Sequence, residues 1–323
     1  MTGKLLRGCL MAALAVIAGS AGLPRAAAAV TLTVGKASPN ADPIIPVNVG
    51  DTLGIFKKHG IDLKIVDFTG GSKMAQAMAA GALDIGDGAG TEMALVAKGA
   101  PMIGVCESTG PLPFLGIGVP ADSPIHSIEQ LKGKNIGVSS AGSLTDWLAK
   151  ELARTQGWGP QGVNAVSIGN GANSIIAAFR QNLVDADVSV TSLLLSMEEN
   201  HTGRLLFPVT KYEGSMASGT VFASQHLIDT NPDAVRAFVA AWIETVNYMR
   251  SHKAETVKIE SGITGFSENV MAKDYDLTIG MFTKGCEFDA ASIANLKRSF
   301  DELKELPSPP DMSKLYTNAF LPK

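Results

Sequence analysis

The sequence predicts an α/β protein of two lobes with a mostly helical C-terminal part. Three observations carry this expectation. Strand-like and helix-like segments alternate over residues 30–220, the mark of βα units around a sheet. The same order of segments returns about 100 residues later. Beyond residue 230, apolar side chains recur at spacings of three and four, the period of helices with one buried face.

In chain order, residues 31–34 form a first strand, and a helical stretch ends at Phe56-Lys57-Lys58-His59-Gly60 with Gly60 as its stop. Residues 61–66 alternate with period two, as a strand does. After Gly70-Gly71-Ser72, the side chains of Met74, Ala77 and Met78 mark one face of a helix that Gly81 ends, and residues 83–88 read as a strand. Residues 102–106 are an apolar, buried strand. The plan then returns with a strand over 135–138 and a helix over 143–156 that buries Leu144, Trp147, Leu148 and Leu152. A strand over 164–168 follows, and Gly169-Asn170-Gly171 leads into a helix that buries Ile175, Ala178 and Phe179.

Shifted by 101 residues, Ser72 falls on Asn173, both good N-caps, and Gly81 falls on Asn182, both tolerant of a left-handed helix end. The same shift sets Asp84 on Asp185 at the start of the next strand. One large sheet of generic βα units is the competing arrangement. Beyond Ser218, residues 221–224 read as a short return strand. Asn231-Pro232 opens a long helix that buries Val235, Phe238, Val239, Trp242, Ile243, Val246 and Met249. Helices follow over 267–283 and 289–305, and the Pro-rich end over 307–310 is expected as an extended tail.

The chain has 323 residues, 46% hydrophobic and 18% charged, too apolar for a disordered chain. A net charge of −4 excludes the basic footprint of a nucleic-acid binder. Residues 1–29 read as a secretory signal: Lys4 and Arg7 form a basic start, and the apolar run over 8–22 is too short to span a bilayer. Ala27-Ala28-Ala29 supplies a small-residue cleavage pattern, so cleavage is expected after Ala29 and the location is periplasmic. Losing Lys4, Arg7 and Arg25 takes the charge from −4 to −7. Of the remaining cysteines, Cys106 lies in a buried strand and Cys286 follows an amphipathic stretch, and two separate buried thiols are favoured over one disulfide.

Enzyme signatures are missing. There is no G-x-S-x-G, H-E-x-x-H or G-x-x-x-x-G-K. His59, His126, His201, His226 and His252 have no metal-ligand spacing, and Thr91 stands where a dinucleotide fingerprint running from Gly86 and Gly88 needs its last glycine. No enzyme, metal or cofactor is therefore expected. What the chain does have is a set of small polar loops where strands end and helices begin, over 36–40, 70–72, 88–91, 139–145 and 171–173. Ligands of open α/β sheets bind at such strand ends, and helix N-termini there favour an anion. The candidate ligand contacts are Ser38, Ser72, Gly88, Thr91, Ser140, Gly142, Ser143, Leu144, Thr145, Asn173 and Asp187. Ser72, Thr91, Ser143 and Asn173 have helix capping as their alternative role. Lys36, Lys73 and Lys211 lie near these loops and favour a sulfonate or carboxylate; Glu92 either pairs with an amino group or is a solvated first-turn acid.

Several stretches, in this order, resemble the solute-binding proteins of ABC importers of the nitrate, sulfonate, taurine and thiamine-precursor group. They are Phe56-Lys57-Lys58-His59-Gly60-Ile61, Ala80-Gly81-Ala82-Leu83-Asp84-Ile85-Gly86, Lys98-Gly99-Ala100-Pro101 and the run Ser127-Ile128-Glu129-Gln130-Leu131-Lys132-Gly133-Lys134-Asn135-Ile136-Gly137-Val138. Ser140-Ala141-Gly142-Ser143 and Leu183-Val184-Asp185-Ala186 complete the set. Lys36 stands where that group often has an aromatic, and Leu144 where it often has a hydroxyl. The resemblance implies a type II periplasmic-binding fold with a two-crossing hinge. Residues 30–116 and 220–323 would form one lobe and 117–219 the other, with crossings near Gly116-Ile117-Gly118 and Ser218-Gly219. It implies a monomer that holds a small organic anion between its lobes and delivers it to a permease and ATPase at the inner membrane. A pyrimidine thiamine precursor is the alternative ligand. A pyrimidine-synthesis enzyme on the same fold, using its own His and iron in the cytoplasm, is the alternative class; the secretory signal and the scattered His and Cys stand against it.

Overall fold

The computed structural model describes residues 29–303 and 306–322, so the expected secretory segment lies, apart from Ala29, outside the described residues. The first part of the chain runs β1 (Val30–Lys36), α1 (Pro46–Thr52), α2 (Ile55–Lys58), β2 (Ile61–Asp67), α3 (Gly71–Ala79), β3 (Ile85–Gly88), α4 (Met93–Ala97) and β4 (Met102–Pro111). The middle part is β5 (Leu115–Pro120), β6 (Asn135–Val138), α5 (Leu144–Thr155), β7 (Asn164–Ser167), α6 (Ala172–Arg180), β8 (Ala186–Val190), α7 (Thr191–Glu199) and β9 (Gly203–Pro208). The last is β10 (Ser215–Ser224), α8 (Gln225–Thr230), α9 (Pro232–Ser251), α10 (Lys253–Thr264), α11 (Glu268–Thr278) and α12 (Ala290–Leu303).

The strands form two five-stranded sheets with one topology, β2-β1-β3-β10-β4 and β7-β6-β8-β5-β9. The first three strands of each sheet are parallel, and the fourth runs antiparallel between the third and the fifth. The chain leaves the first sheet after Pro111, enters the second at Leu115, and returns between Pro208 and Ser215. Both passages therefore precede the expected crossings: Gly116-Ile117-Gly118 lies inside β5 and Ser218-Gly219 inside β10.

The internal repeat holds at the level of single bonds. α3 and α6 start at Gly71 and Ala172, and their N-caps are Gly70 and Gly171, so Ser72 and Asn173 sit in the first turns rather than at the caps. Gly81 and Asn182 both take positive φ, 76° and 52°, as the left-handed helix ends require. The Asp84 carboxylate accepts the Thr33 N–H at 2.8 Å while its own N–H donates to the Thr33 carbonyl at 2.9 Å. Asp185 makes the same pair of bonds with Asn135, at 2.9 and 2.8 Å. Each aspartate thus clips the entrance of β3 or β8 to the neighbouring strand, β1 or β6.

The C-terminal part is shared between the lobes. α9 packs on α1 and α2, with the Phe238 ring 5.1 Å from that of Phe56 and tilted 39° to it. α11 instead packs on α7, and Val270, Met271 and Tyr275 join Ile175, Phe179, Leu194 and Met197 in one buried cluster. Part of the segment expected with the first lobe therefore completes the core of the second. The Pro-rich segment 307–310 lies outside any helix or strand and is largely exposed, and the residues after it pack back on the first lobe: Tyr316 bridges Gly104, and Leu315 and Phe320 are buried.

The two cysteines correct the sequence expectation. Cys106 and Cys286 form a disulfide rather than two separate thiols. The segment that carries Cys286 runs along β4, where Thr283 N–H donates to Ser108 O and Glu107 N–H to Cys286 O, both at 2.9 Å. That alignment sets side by side two residues 180 positions apart, which local patterning does not register. The denatured protein without reductant is expected to show no free thiol at either position, and Cys286→Ser is expected to lower the unfolding free energy by about 2–5 kcal/mol in urea titrations.

Candidate functional site

The carboxyl ends of β1, β3, β6 and β8 face one another across the two sheets and enclose a cavity of about 80 Å³. Its lining divides by chemistry. Ala41, Pro43 and Ile44, from the loop after β1, meet Phe114, Leu115, Val188 and Val190 to form an apolar wall beside the first crossing. The polar part of the lining is Ser38, Glu92, Ser139, Ser143, Thr145, Asn170, Ser189 and Ser218.

The polar side is built at the N-terminus of α5, a helix of twelve residues. Three hydroxyls close a triangle there: Ser139 with Ser143 at 2.9 Å, Ser139 with Thr145 at 2.9 Å, and Ser143 with Thr145 at 3.0 Å. The Ser139 N–H also donates to the Thr145 hydroxyl at 2.9 Å, and Ser143 accepts the Asp146 N–H at 3.4 Å. Ser143 therefore caps its helix and lines the cavity at once.

Glu92 is buried, 3% exposed, so the expected solvated first-turn acid is instead a cavity wall. One carboxylate oxygen accepts the Ala89 N–H at 2.7 Å. The other lies so close to Gly71 that any β-carbon there would collide with it. Burial raises its pKa to about 7, with the Ala89 N–H and the Thr91 hydroxyl holding it from going higher. Among the described residues, Glu92 is the one ionisable side chain that lines this cavity.

The lysines expected to face a ligand do not line it. Lys36 is buried, donates to the Pro39 carbonyl at 3.0 Å and pairs with Asp67 at 3.2 Å, with Asp87 also nearby. Lys73 donates to the Thr69 hydroxyl at 2.8 Å, and Lys211 lies over the Phe207 ring.

Of the expected contacts, Ser38, Gly88, Ser143, Leu144 and Thr145 line the cavity. Thr91 and Gly142 line a smaller one that shares Ser143. Ser72 lies outside and donates to the Ala141 carbonyl at 2.8 Å. Ser140 is buried against Gly70 with its hydroxyl unpartnered. Asn173 stays in the first turn of α6, and Asp187 lies behind the wall, accepting the hydroxyl of the lining residue Ser189. Ser139, Asn170 and the apolar wall were not anticipated. Ser139 and Asn170 stand in loops the sequence did single out, but which side chain of a loop turns inward is not a pattern along the chain.

Burial penalises the charged forms of several carboxyls and raises their pKa values, among them Glu92, Glu107 and Asp187 to about 7 and Glu260 to about 8. Between the ordinary carboxylate range and these values the folded chain holds more protons than the unfolded one, so stability falls as pH rises. The Tm is expected to be lower at pH 8 than at pH 5, and Glu92→Gln is expected to remove on the order of 2–3 kcal/mol of that decline.

Residues 42–256 match the family model described as NMT1/THI5 like. A 4-amino-5-hydroxymethyl-2-methylpyrimidine phosphate synthase of Saccharomyces cerevisiae is 25% identical over 301 residues, 86% of this chain and 84% of that one. Among solved structures, the alkanesulfonate-binding protein SsuA from Xanthomonas axonopodis pv. citri, bound to MOPS, superposes with a TM-score of 0.76 at 18% identity, covering 90% of this chain and 99% of that one. The periplasmic aliphatic sulphonate binding protein SsuA from Escherichia coli gives 0.71 at 19% identity over 89% and 92%. The architecture is that of the periplasmic binding proteins, with two α/β lobes and a two-crossing hinge.

Proposed function

The chain belongs to the NMT1/THI5-like family, and from that premise we propose that it is the exported solute-binding component of an ABC importer, holding a small organic solute between its lobes for a membrane permease. The observation that carries this reading is the cavity itself, enclosed by the strand ends of two lobes joined through two crossings. The disulfide supports an oxidising compartment, and no described helix is long and apolar enough to cross a membrane. The synthase-like relative raises the enzyme reading. Against it, no His or Cys lines the cavity among the described residues, and both described cysteines are spent in the disulfide.

The lining favours a solute with an apolar or ring-shaped body and hydrogen-bond donors at one edge. The body fits the wall of Pro43, Ile44, Phe114, Leu115 and Val188, and the donors meet Glu92 and the Asn170 side-chain oxygen, which has no partner within the protein. An amino-substituted heterocycle such as an aminopyrimidine has this form. A sulfonate or carboxylate is the second reading, supported by the hydroxyl triangle at the N-terminus of α5 and by the SsuA-like fold.

The sign of the pH dependence separates the two. A donor solute binds the Glu92 carboxylate, so its affinity is expected to rise as pH rises through about 7. An anion is repelled by the same carboxylate, so its affinity is expected to fall. Calorimetry with aminopyrimidines, alkanesulfonates, small carboxylates and nitrate from pH 5.5 to 8.5 makes the comparison, after a thermal-shift screen for binders. Glu92→Gln is expected to weaken a donor solute by about tenfold or more and to flatten its pH profile. An anion that binds more tightly to wild type at higher pH, or a donor that ignores Glu92→Gln, overturns the assignment of Glu92. N-terminal sequencing of the periplasmic protein is expected to begin at Val30; a retained leader overturns the export step.

A further inference from the structure

Two side-chain hydrogen bonds cross from lobe to lobe at the rim of the cleft. Ser72, in the first turn of α3, donates to the Ala141 carbonyl at 2.8 Å. Asn170, in the loop before α6, donates from Nδ2 to the Ala37 carbonyl at 3.2 Å. The two lie in corresponding regions of the lobes, although not at positions the repeat sets on one another. One donor stands in the first turn of the helix after the second strand, the other in the loop just before that helix, and each acceptor is in the loop after the first strand of the other lobe. The acceptors are held ready. Ala37 O already takes the Gly70 N–H of its own lobe at 3.0 Å, and a carbonyl has a second lone pair to offer.

The rim is also stripped for close approach. A β-carbon at Gly70 would stand 2.8 Å from the Ser140 β-carbon. Gly70, with φ of 148°, and Gly142, with φ of 72°, take backbone conformations that also favour glycine. Ser72 lies outside the cavity lining, whereas Asn170 belongs to it and leaves its Oδ1 unpartnered.

We propose that Ser72 and Asn170 form a two-point latch that sets how far the lobes stay closed, and that Asn170 couples the latch to the solute. A solute N–H that bonds Asn170 Oδ1 fixes the amide with Nδ2 toward Ala37. Occupancy thereby strengthens one latch bond, while Ser72 closes the cleft without touching the solute. Both are positioning residues. This inference rests on the two-lobed solute-binding reading for its use, but both latch bonds join groups of the protein itself.

A bond present only in the closed arrangement shifts the open–closed balance by its own worth. For an ordinary side-chain hydrogen bond that is roughly a two- to tenfold change. Ser72→Ala is therefore expected to lower the affinity for every solute that binds by one common factor in this range, leaving their ranking unchanged, and to hasten dissociation more than it slows association. Ser72→Thr is expected to restore wild-type values. Asn170→Ala is expected to weaken binding and to change the ranking, because it removes a solute contact as well. The closed fraction without solute, measured with one spin label on each lobe, is expected to fall in Ser72→Ala and recover in Ser72→Thr.

The spin-label arm needs no solute, so it tests the latch even if every compound screened fails to bind. An unchanged closed fraction in Ser72→Ala overturns the proposal. So does a Ser72→Ala effect that differs from solute to solute.

Discussion

Each lobe of this molecule needs a strand that arrives from the other. The fourth strand of the first sheet, β10, follows directly on the passage from the second sheet, and the fourth strand of the second sheet, β5, follows directly on the passage from the first. Without it the third strand would be left with unpaired N–H and C=O groups along a buried edge, which a fold cannot leave unsatisfied cheaply. The two passages are therefore fixed at both ends by ladder bonds, and the freedom to move lies in the short segments between Pro111 and Leu115 and between Pro208 and Ser215. The cavity's apolar wall draws on the first of these segments through Phe114 and on β5 through Leu115. The first passage between the sheets and the cavity wall thus share residues.

Further ties restrain the lobes beyond those two segments. α11 seals the apolar face of α7, and Arg298 of α12 pairs with Glu151 of α5 and with Glu213 of the return passage, each at 3.3 Å. The disulfide pins the segment before α12 to β4, and the C-terminal residues pack on the same strand. Apolar burial holds α11 on α7, and the Ser267 hydroxyl and Asn269 amide donate to the Glu199 carboxylate at 2.9 and 3.1 Å. The lobes are thus tied both at the rim of the cleft and behind it.

Inside the cleft the decisive term is desolvation. A carboxyl group enclosed by Gly71, Gly88 and Ala89 has little water to stabilise its charge, and the Ala89 and Glu92 N–H groups with the Thr91 hydroxyl offset only part of that loss. Glu92 is left near its midpoint at neutral pH, able to accept a donor as carboxylate or to give a proton as acid. Lys36, the cation that local spacing sets beside the cleft, is committed to Asp67 and the Pro39 carbonyl, where it braces the loop that carries Ser38 and Ala41.

The sequence by itself determined the α/β class, the two-lobed repeat and the loops that meet at the cleft, because these follow from interactions close along the chain. Alternation marks strands, glycine and asparagine mark left-handed helix ends, and Asp84 and Asp185 recur where each sheet needs its clip. Ser143 and Thr145 were legible for the same reason, since a strand end followed by a helix N-terminus gathers polar groups wherever it occurs. Tertiary structure alone decided the rest: that Cys106 meets Cys286, that Glu92 turns inward while Lys36 is tied off, that Ser72 reaches across to Ala141, and that α11 serves the second lobe. Each of these depends on residues far apart in sequence becoming neighbours, and on which face of a loop loses water when the lobes meet. A pattern read along one chain contains neither quantity.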